Sequence, residues 1–236
     1  MSSPVDSRPD VGVVIVAAGA GVRAGPGEPK QFRPILGVPM LLRSLRQFTS
    51  HPDVAQVVVA LPAAFVEHPP QWLGGLLGAG ERLKLVTGGH TRSESVRAGM
   101  AMLQKHLPIV LVHDAARPFV TRDTVDAVVK CVRGGVAAIA AIPMGDTVKE
   151  VGEGTQVLRT VPRGALWRAQ TPQGFPRPLL AQAYEQWSGT ESPTDDAEVY
   201  ERAGLPVEVV ADSPFNIKVT TADDFRLAEA LAREFR

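Results

Sequence analysis

The sequence predicts an α/β fold, a Rossmann-like, mainly parallel sheet flanked by helices, with a protruding β-arm. Three observations carry this. Apolar, β-branched runs recur at 11–18, 54–62, 108–118 and 136–143, as expected of strands buried on both faces in a parallel sheet. Helix-patterned segments separate these runs, and strands alternating with helices imply parallel crossovers. One stretch breaks the alternation. DTVKEVGEGTQVLRTVPR, residues 146–163, holds two β-rich halves around Gly152-Glu153-Gly154. That is a hairpin signal, too polar for a central pair of strands.

In order along the chain, VGVVIVAA (11–18) is the first strand. A Gly-rich loop leads to a helix near 39–49. VAQVVVALP (54–62) is the second strand, and the stretch holding His68, Pro69 and Pro70 reads as loose. LKLVTGG (83–89) follows, then a helix at about 91–106. PIVLVHDAARP (108–118) is a buried strand and its exit loop. TRDTVDAVVKCVRG (121–134) is a helix with Thr121 as its cap and Gly134 near its end. VAAIAAIP (136–143) is a further strand. Beyond the arm come helices near 176–187 and 195–204, a strand at 206–210 and a closing helix at 222–235. Ser, Pro and Asp in residues 1–10 predict a disordered tail. Residues 11–236 form a single domain, long enough to bury a sizeable core.

The bulk properties narrow the function. Lys+Arg and Asp+Glu balance at 25 each, which argues against nucleic acid as a partner. No stretch approaches the roughly 18 uninterrupted apolar residues of a membrane span. The N-terminus lacks the basic start and apolar block of a signal peptide. The one cysteine, Cys131, has no internal disulfide partner, which predicts a cytoplasmic setting. Within VDAVVKCV it reads as a small buried helical side chain rather than a nucleophile.

Four short constellations carry chemistry. In AAGAGVRAGPGEPKQF (17–32), Gly19, Gly21 and Gly25 let backbone approach a ligand, and successive amides make a nest for anions. Arg23 and Lys30 add positive charge, so the loop suits phosphates. Gly19-x-Gly21-x-x-Ala24 matches the dinucleotide fingerprint. However, the second strand ends in Val59-Ala60-Leu61-Pro62 without the ribose-binding acid, and Pro26, Gly27 and Pro29 oppose an immediate helix. A Walker loop needs Gly-Lys-Ser/Thr, which is absent. What remains is a long loop able to fold over a triphosphate. TGGHTRSESV (87–96) is a glycine-ended strand and a capped helix start, with Ser93 or Ser95 available for hydrogen bonds. HDAARP (113–118) ends an apolar strand, where open α/β sheets bind ligands, and its Asp114 suits a metal or a hydroxyl. In NIKVT (216–220), Lys218 stands between apolar neighbours.

Taken in order, AAGAGVRAG-PGEPKQF, TGGHTRSESV, LVHDAARPFV, DTVKEV, RGALWRAQTPQGF, TDDAEVYERAG and NIKVTTADDF resemble the 2-C-methyl-D-erythritol 4-phosphate cytidylyltransferases, over about Val13 to Ala230. The resemblance implies the nucleotide-diphospho-sugar transferase type of fold. It implies transfer of CMP from CTP to 2-C-methyl-D-erythritol 4-phosphate with Mg2+, releasing pyrophosphate, in non-mevalonate isoprenoid synthesis. By resemblance, Arg23 and Lys30 bind the triphosphate and stabilise the transition state, and Lys218 contacts the α-phosphate. Ala17, Ala18, Gly19, Gly88 and Ser95 line the cytosine pocket. Ala115 and Asp114 sit near the ribose and the acceptor, with Asp114 a candidate Mg2+ ligand. Arg117, Thr171 and Thr194 complete the acceptor pocket. Thr147 and Arg163 lie on the arm, reach the acceptor phosphate of a partner subunit and imply a homodimer. Sequence physics alone leaves the arm equally readable as a plain surface hairpin.

One position departs from the pattern: His90 stands where relatives often carry Asp. The chemistry agrees with the residues. A phosphate monoester has a second pKa of about 6 and is largely ionised at neutral pH. No general base is required, and positioning plus positive charge supply the catalysis. Three alternatives stand beside this reading: a cytidylyltransferase for another polyol phosphate such as ribitol 5-phosphate, a non-catalytic nucleotide-binding module, and a dinucleotide-dependent oxidoreductase.

Overall fold

A computed structural model describes residues 9–19, 29–77, 82–188 and 192–234. In chain order, β1 (Val11–Val16) precedes a short pair, β2 (Pro34–Ile35) and β3 (Val38–Pro39), and helix α1 (Met40–Thr49). Then come β4 (Val54–Leu61), α2 (Ala63–Glu67), α3 (Gln71–Leu77), β5 (Leu83–Thr87), α4 (Arg92–Met102) and β6 (Ile109–Asp114). Helix α5 (Arg122–Arg133) and β7 (Ala137–Pro143) lead to the arm strands β8 (Val148–Val151) and β9 (Val157–Val161). The chain continues through β10 (Trp167–Pro176), α6 (Arg177–Gln186), α7 (Asp196–Arg202), β11 (Val207–Ala211) and α8 (Ala222–Glu234).

Seven strands form the main sheet in the order β11-β7-β10-β6-β1-β4-β5. Every pairing in it is parallel except the two made by β10, which runs antiparallel to β6 and β7. Successive strand residues serve opposite faces. Val13 and Ile15 of β1 therefore join one core with Leu41, Leu45 and Phe48 of α1 and the α5 valines. Val14 joins the other with Val96, Met100, Leu180 and Tyr200 from α4, α6 and α7. Each such fully buried side chain contributes roughly 1.5–3 kcal/mol. Close approach of α4 to β1 depends on Gly99, where a Cβ would stand 2.4 Å from Val14 Cγ1.

The predicted alternation is present, with three differences in the helices. The stretch around His68 and the two prolines is not loose: it holds α2 and α3, whose Phe65, Val66 and Trp72 pack on the first core. The helix expected to about 106 stops at Met102, because Leu103 is extended. Cys131 is half-buried rather than fully enclosed.

Strand β10 has no counterpart in the sequence prediction. Its polar Arg168, Gln170, Thr171 and Gln173 and its Pro172 obscure the apolar pattern. Its register with β7 jumps from Ala169↔Ala141 to Gln173↔Ile139. The extra residues, Gln170 to Pro172, bulge from that ladder, and the Thr171-Pro172 bond is cis. Bulges of this kind re-aim side chains beside functional sites. The order of strand addition reverses between β1 and β6: β4 and β5 are added on one side of β1, and β6 returns on the other, parallel to β1. In open α/β sheets this switch point, at the carboxyl ends of the strands, is the ligand crevice.

Candidate active site

A cavity of about 530 Å³ opens at that switch point. Val16 and Ala17 from the end of β1, Asp114 and Ala115 from the end of β6, and Lys30, Ser95 and Lys218 all line it. A second cavity of about 250 Å³ adjoins it, lined by Arg117, Thr171, Gln173, Thr194 and Asp195. Arg92, Asp114 and Lys218 line both and form the wall between them.

Local chain geometry explains the convergence. The Gln31 amide donates to the Ala17 carbonyl at 2.9 Å, so the two ends of the glycine-rich segment meet. Arg23 lies outside the described residues, but Gly19 and Lys30 on either side of it both line the larger cavity. Ala18 lines it as well. Lys30 Nζ stands 3.5 Å from the Val219 carbonyl. Val219 N donates to the Ala116 carbonyl at 2.8 Å, clipping the NIKVT segment to the β6 exit loop. That clip brings Lys218 Nζ to 2.7 Å from Asp114 Oδ2.

The turn before α4 is built for close packing. A Cβ on Gly88 would meet the Ala18 Cβ at 2.4 Å and Ser95 Oγ at 2.8 Å. Gly88 therefore shapes this wall, although its neighbour Gly89 is the residue that lines the cavity. Ser95 Oγ accepts from Gly89 N at 3.1 Å and donates to the Thr91 carbonyl at 3.0 Å. Thr91 caps α4 in a capping box with Glu94. His90 is exposed, lines the cavity and donates its backbone N–H to Glu94 Oε2.

Asp114 is the electrostatic centre. Burial alone would raise its pKa, but the charges of Arg92 and Lys218 overcome this and hold the carboxyl far below the usual range. Arg92 Nε donates to Asp114 Oδ1 at 3.2 Å and its Nη1 to Asp196 Oδ2 at 2.6 Å. The sequence reading missed Arg92, Asp195 and Asp196, although the last two lie in the TDDAE run. Arg117 is buried and donates to the carbonyls of Asn216 and Ala169. Thr194 spends its hydroxyl hydrogen on Glu198. Thr147 and Arg163 flank the β8–β9 hairpin and line neither cavity of their own chain. Arg163 donates to the Gly145 carbonyl.

His113 fixes the second cavity from behind. Its Nε2 lies 3.1 Å from the Arg117 carbonyl, which can only accept, so that nitrogen carries the proton. Nδ1 is then bare and accepts from the Thr171 hydroxyl at 3.0 Å, while Thr171 Oγ1 accepts the Asp114 N–H at 3.1 Å. Burial pushes His113 down to about 4 from 6.5; the Arg117 carbonyl and the Asp114 charge oppose this with less effect. Below pH 6.5 the unfolded chain takes up a proton that the folded site refuses until about pH 4. Stability from this group is therefore complete above the unfolded value and falls as pH drops to the folded one, by on the order of 3 kcal/mol. Urea titrations between about pH 7 and pH 4 check this. The slope should be shallower in His113→Gln; equal slopes would assign the loss elsewhere.

The four orphaned polar atoms among the described residues are Arg92 Nη2, Arg117 Nε, Gln170 Oε1 and Asn216 Oδ1. All four belong to side chains in or beside this wall. A further group, His51, Asp53 and Asp126, has ligand-type atoms within 4.8 Å of one another. It lies at the amino ends of the strands, away from both cavities. His51 there pairs with Asp126 at 2.9 Å and Asp53 with Arg133 at 3.0 Å. No described helix is long and apolar enough to cross a membrane.

With this geometry in view, the chain compares closely with known proteins. A family model described as "IspD: 2-C-methyl-D-erythritol 4-phosphate cytidylyltransferase" matches residues 11–234. A 2-C-methyl-D-erythritol 4-phosphate cytidylyltransferase of Symbiobacterium thermophilum is 40% identical over 230 residues, covering 95% of this chain and 93% of the relative. The protein of that name from Streptomyces avermitilis is 42% identical over 239 residues, covering 96% and 95%. The crystal structure of the Thermus thermophilus cytidylyltransferase superposes with a TM-score of 0.78 at 37% identity, covering 95% of this chain and 99% of that one.

Proposed function

The chain belongs to the 2-C-methyl-D-erythritol 4-phosphate cytidylyltransferase family, and from that premise we propose how its residues divide the work. The enzyme transfers CMP from CTP to 2-C-methyl-D-erythritol 4-phosphate, giving 4-diphosphocytidyl-2-C-methyl-D-erythritol and pyrophosphate. The observation that carries the assignment of roles is the meeting of Lys30, Lys218 and Asp114 at the switch point, with Lys218 and Asp114 in the wall shared by two adjoining cavities.

In our reading CTP occupies the larger cavity. Ala17, Ala18, Gly19, Gly88, Ser95 and Ala115 surround the base and ribose, and Arg23 and Lys30 meet the triphosphate. The acceptor enters the smaller cavity among Asp114, Arg117, Thr171 and Thr194. An ionised oxygen of its phosphate attacks the α-phosphorus of CTP, and the bond to the β-phosphate breaks to release pyrophosphate. Lys218 contacts the α-phosphate, so it leaves the Asp114 carboxylate it holds in the free enzyme. Negative charge accumulates as two anions meet, and Arg23, Lys30 and Lys218 stabilise it.

Mg2+ fits this cavity as a metal carried mainly by the nucleotide. Asp114 is the one carboxylate lining the larger cavity among the described residues, and Mg2+ sites commonly combine one or two carboxylates with substrate phosphates. When bound, the ion supplies charge neutralisation on the triphosphate.

The arm supports a homodimer. Val151, Val157 and Leu158 are 51%, 53% and 59% exposed, more apolar surface than a solvated hairpin needs. Thr147 and Arg163 face neither cavity of their own chain, consistent with service to the acceptor phosphate of a partner. The single cysteine accords with a cytoplasmic enzyme. Residues 11–236 act as one domain carrying this arm.

Pyrophosphate release from CTP and Mg2+ tests the acceptor. Release is expected with 2-C-methyl-D-erythritol 4-phosphate and not with ribitol 5-phosphate. The reverse pattern would move the protein to another polyol phosphate while keeping its nucleotide site.

A further inference from the structure

The wall between the cavities contains one side chain that the division of roles above leaves without a task. Arg92 stands at the first position of α4, after its Thr91 cap. A cation at a helix N-terminus is opposed by the helix dipole, so helix stability does not place it there. Two carboxylates do. Nε reaches Asp114 at 3.2 Å and Nη1 reaches Asp196 at 2.6 Å, and Asp196 is wholly buried. Its third nitrogen, Nη2, is buried without a partner. A buried donor left unsatisfied costs stability, so folding alone does not account for this arrangement either.

The two cations on Asp114 differ in freedom. Lys218 is 44% exposed and touches Asp114 through a single nitrogen; Arg92 is 24% exposed and anchored on a second carboxylate. Lys218 can therefore change partners, whereas Arg92 is fixed. We propose that Arg92 is a positioning residue that holds Asp114 in the acceptor cavity when Lys218 moves to the α-phosphate. Because it stands at the start of the helix whose preceding turn lines the nucleotide cavity, it also ties the acceptor wall to the nucleotide wall. The inference rests on the assignment of Asp114 to the acceptor.

Binding measurements separate the two ideas without depending on turnover. The probes are α,β-methylene CTP alone, and 2-C-methyl-D-erythritol 4-phosphate added to the enzyme loaded with that analogue. Arg92→Lys keeps the charge but lacks the fork that spans two carboxylates. It should weaken acceptor binding about tenfold and analogue binding less than about threefold. In an Asp114→Asn background the same change should weaken acceptor binding less than about threefold, because its target is already gone. Equal loss of both ligands, or the full loss in the Asp114→Asn background, overturns the role of Arg92. Asp114→Asn alone with unchanged acceptor binding overturns the acceptor assignment instead. Should Arg92→Lys melt below the assay temperature, Arg92→Gln takes its place under the same criteria.

Discussion

Lys30→Ala should lower kcat by about two orders of magnitude, on the order of 3 kcal/mol, while moving the KM for CTP only a few-fold. The reasoning starts from charge. Both reactants are anions, and the acceptor phosphate is ionised without help from a base. The enzyme's work is therefore to offset the charge concentrated as the new bond forms. A fixed cation that is better placed for the transition state than for the ground state changes kcat more than KM. Lys30 has the placement this requires. It lines the larger cavity, at the described end of the glycine-rich segment, and its Nζ stands at a long 3.5 Å from the Val219 carbonyl. A melting temperature measured on the same variant separates a catalytic loss from an unfolded protein. Lys30→Arg should recover part of the rate, since charge returns with a different shape. Steady-state kinetics with CTP varied at saturating acceptor decide the matter. Unchanged turnover would remove Lys30 from transition-state stabilisation. A large rise in KM with kcat intact would make it a binding residue only.

Much of this site was legible in the sequence because its parts sit where simple rules place them. The apolar runs ending at Val16 and Asp114 are adjacent parallel strands, and ligands bind beyond the carboxyl ends of such strands. Glycine-rich and cationic residues just after the first run then point to phosphate. The features that escaped share a physical cause: their side chains answer to distant partners rather than to local pattern. Strand β10 alternates poorly because Gln170 and Asn216 bond across 46 positions and Thr171 serves His113. Arg92 looks like an ordinary exposed first-turn residue until Asp196, 104 positions away, is seen to be its partner. Periodicity reports the face a residue turns to the core, and it says nothing about a polar group buried for another polar group. The short α2 and α3 escaped for a different reason: at 5 and 7 residues, punctuated by prolines, they are too brief for a helical repeat to show.

Asp196→Ala should destabilise the fold by about 3–5 kcal/mol, the largest loss expected from a single polar substitution here. Asp196 is wholly buried, and it joins three helices and a strand. Its carboxylate accepts from Arg92 Nη1 on α4 and from the Tyr184 hydroxyl on α6, each at 2.6 Å, while its own backbone N–H on α7 donates to Gln173 Oε1 on β10. Truncation leaves Arg92 Nη1 and the Tyr184 hydroxyl buried without that acceptor, while Arg92 Nε keeps Asp114, and most of the cost is the desolvation of those two donors rather than the strength of the lost bonds. Asp196→Asn should cost less, because an amide oxygen still accepts from one of the two donors. The source of the cost can be checked directly by urea unfolding of Asp196→Leu combined with Arg92→Met and Tyr184→Phe. If stranded polar groups are the cause, the triple variant recovers most of the stability lost in Asp196→Ala, since an apolar cluster of similar volume can match or exceed a buried ion pair. It should still bind the acceptor weakly, because Arg92 is gone. A triple variant as unstable as Asp196→Ala would instead make the ion pair itself the source of stability. Stability recovered without acceptor binding would show that a stable apolar alternative exists here, and that the ionic wall is kept for what it does to Asp114 rather than for the fold.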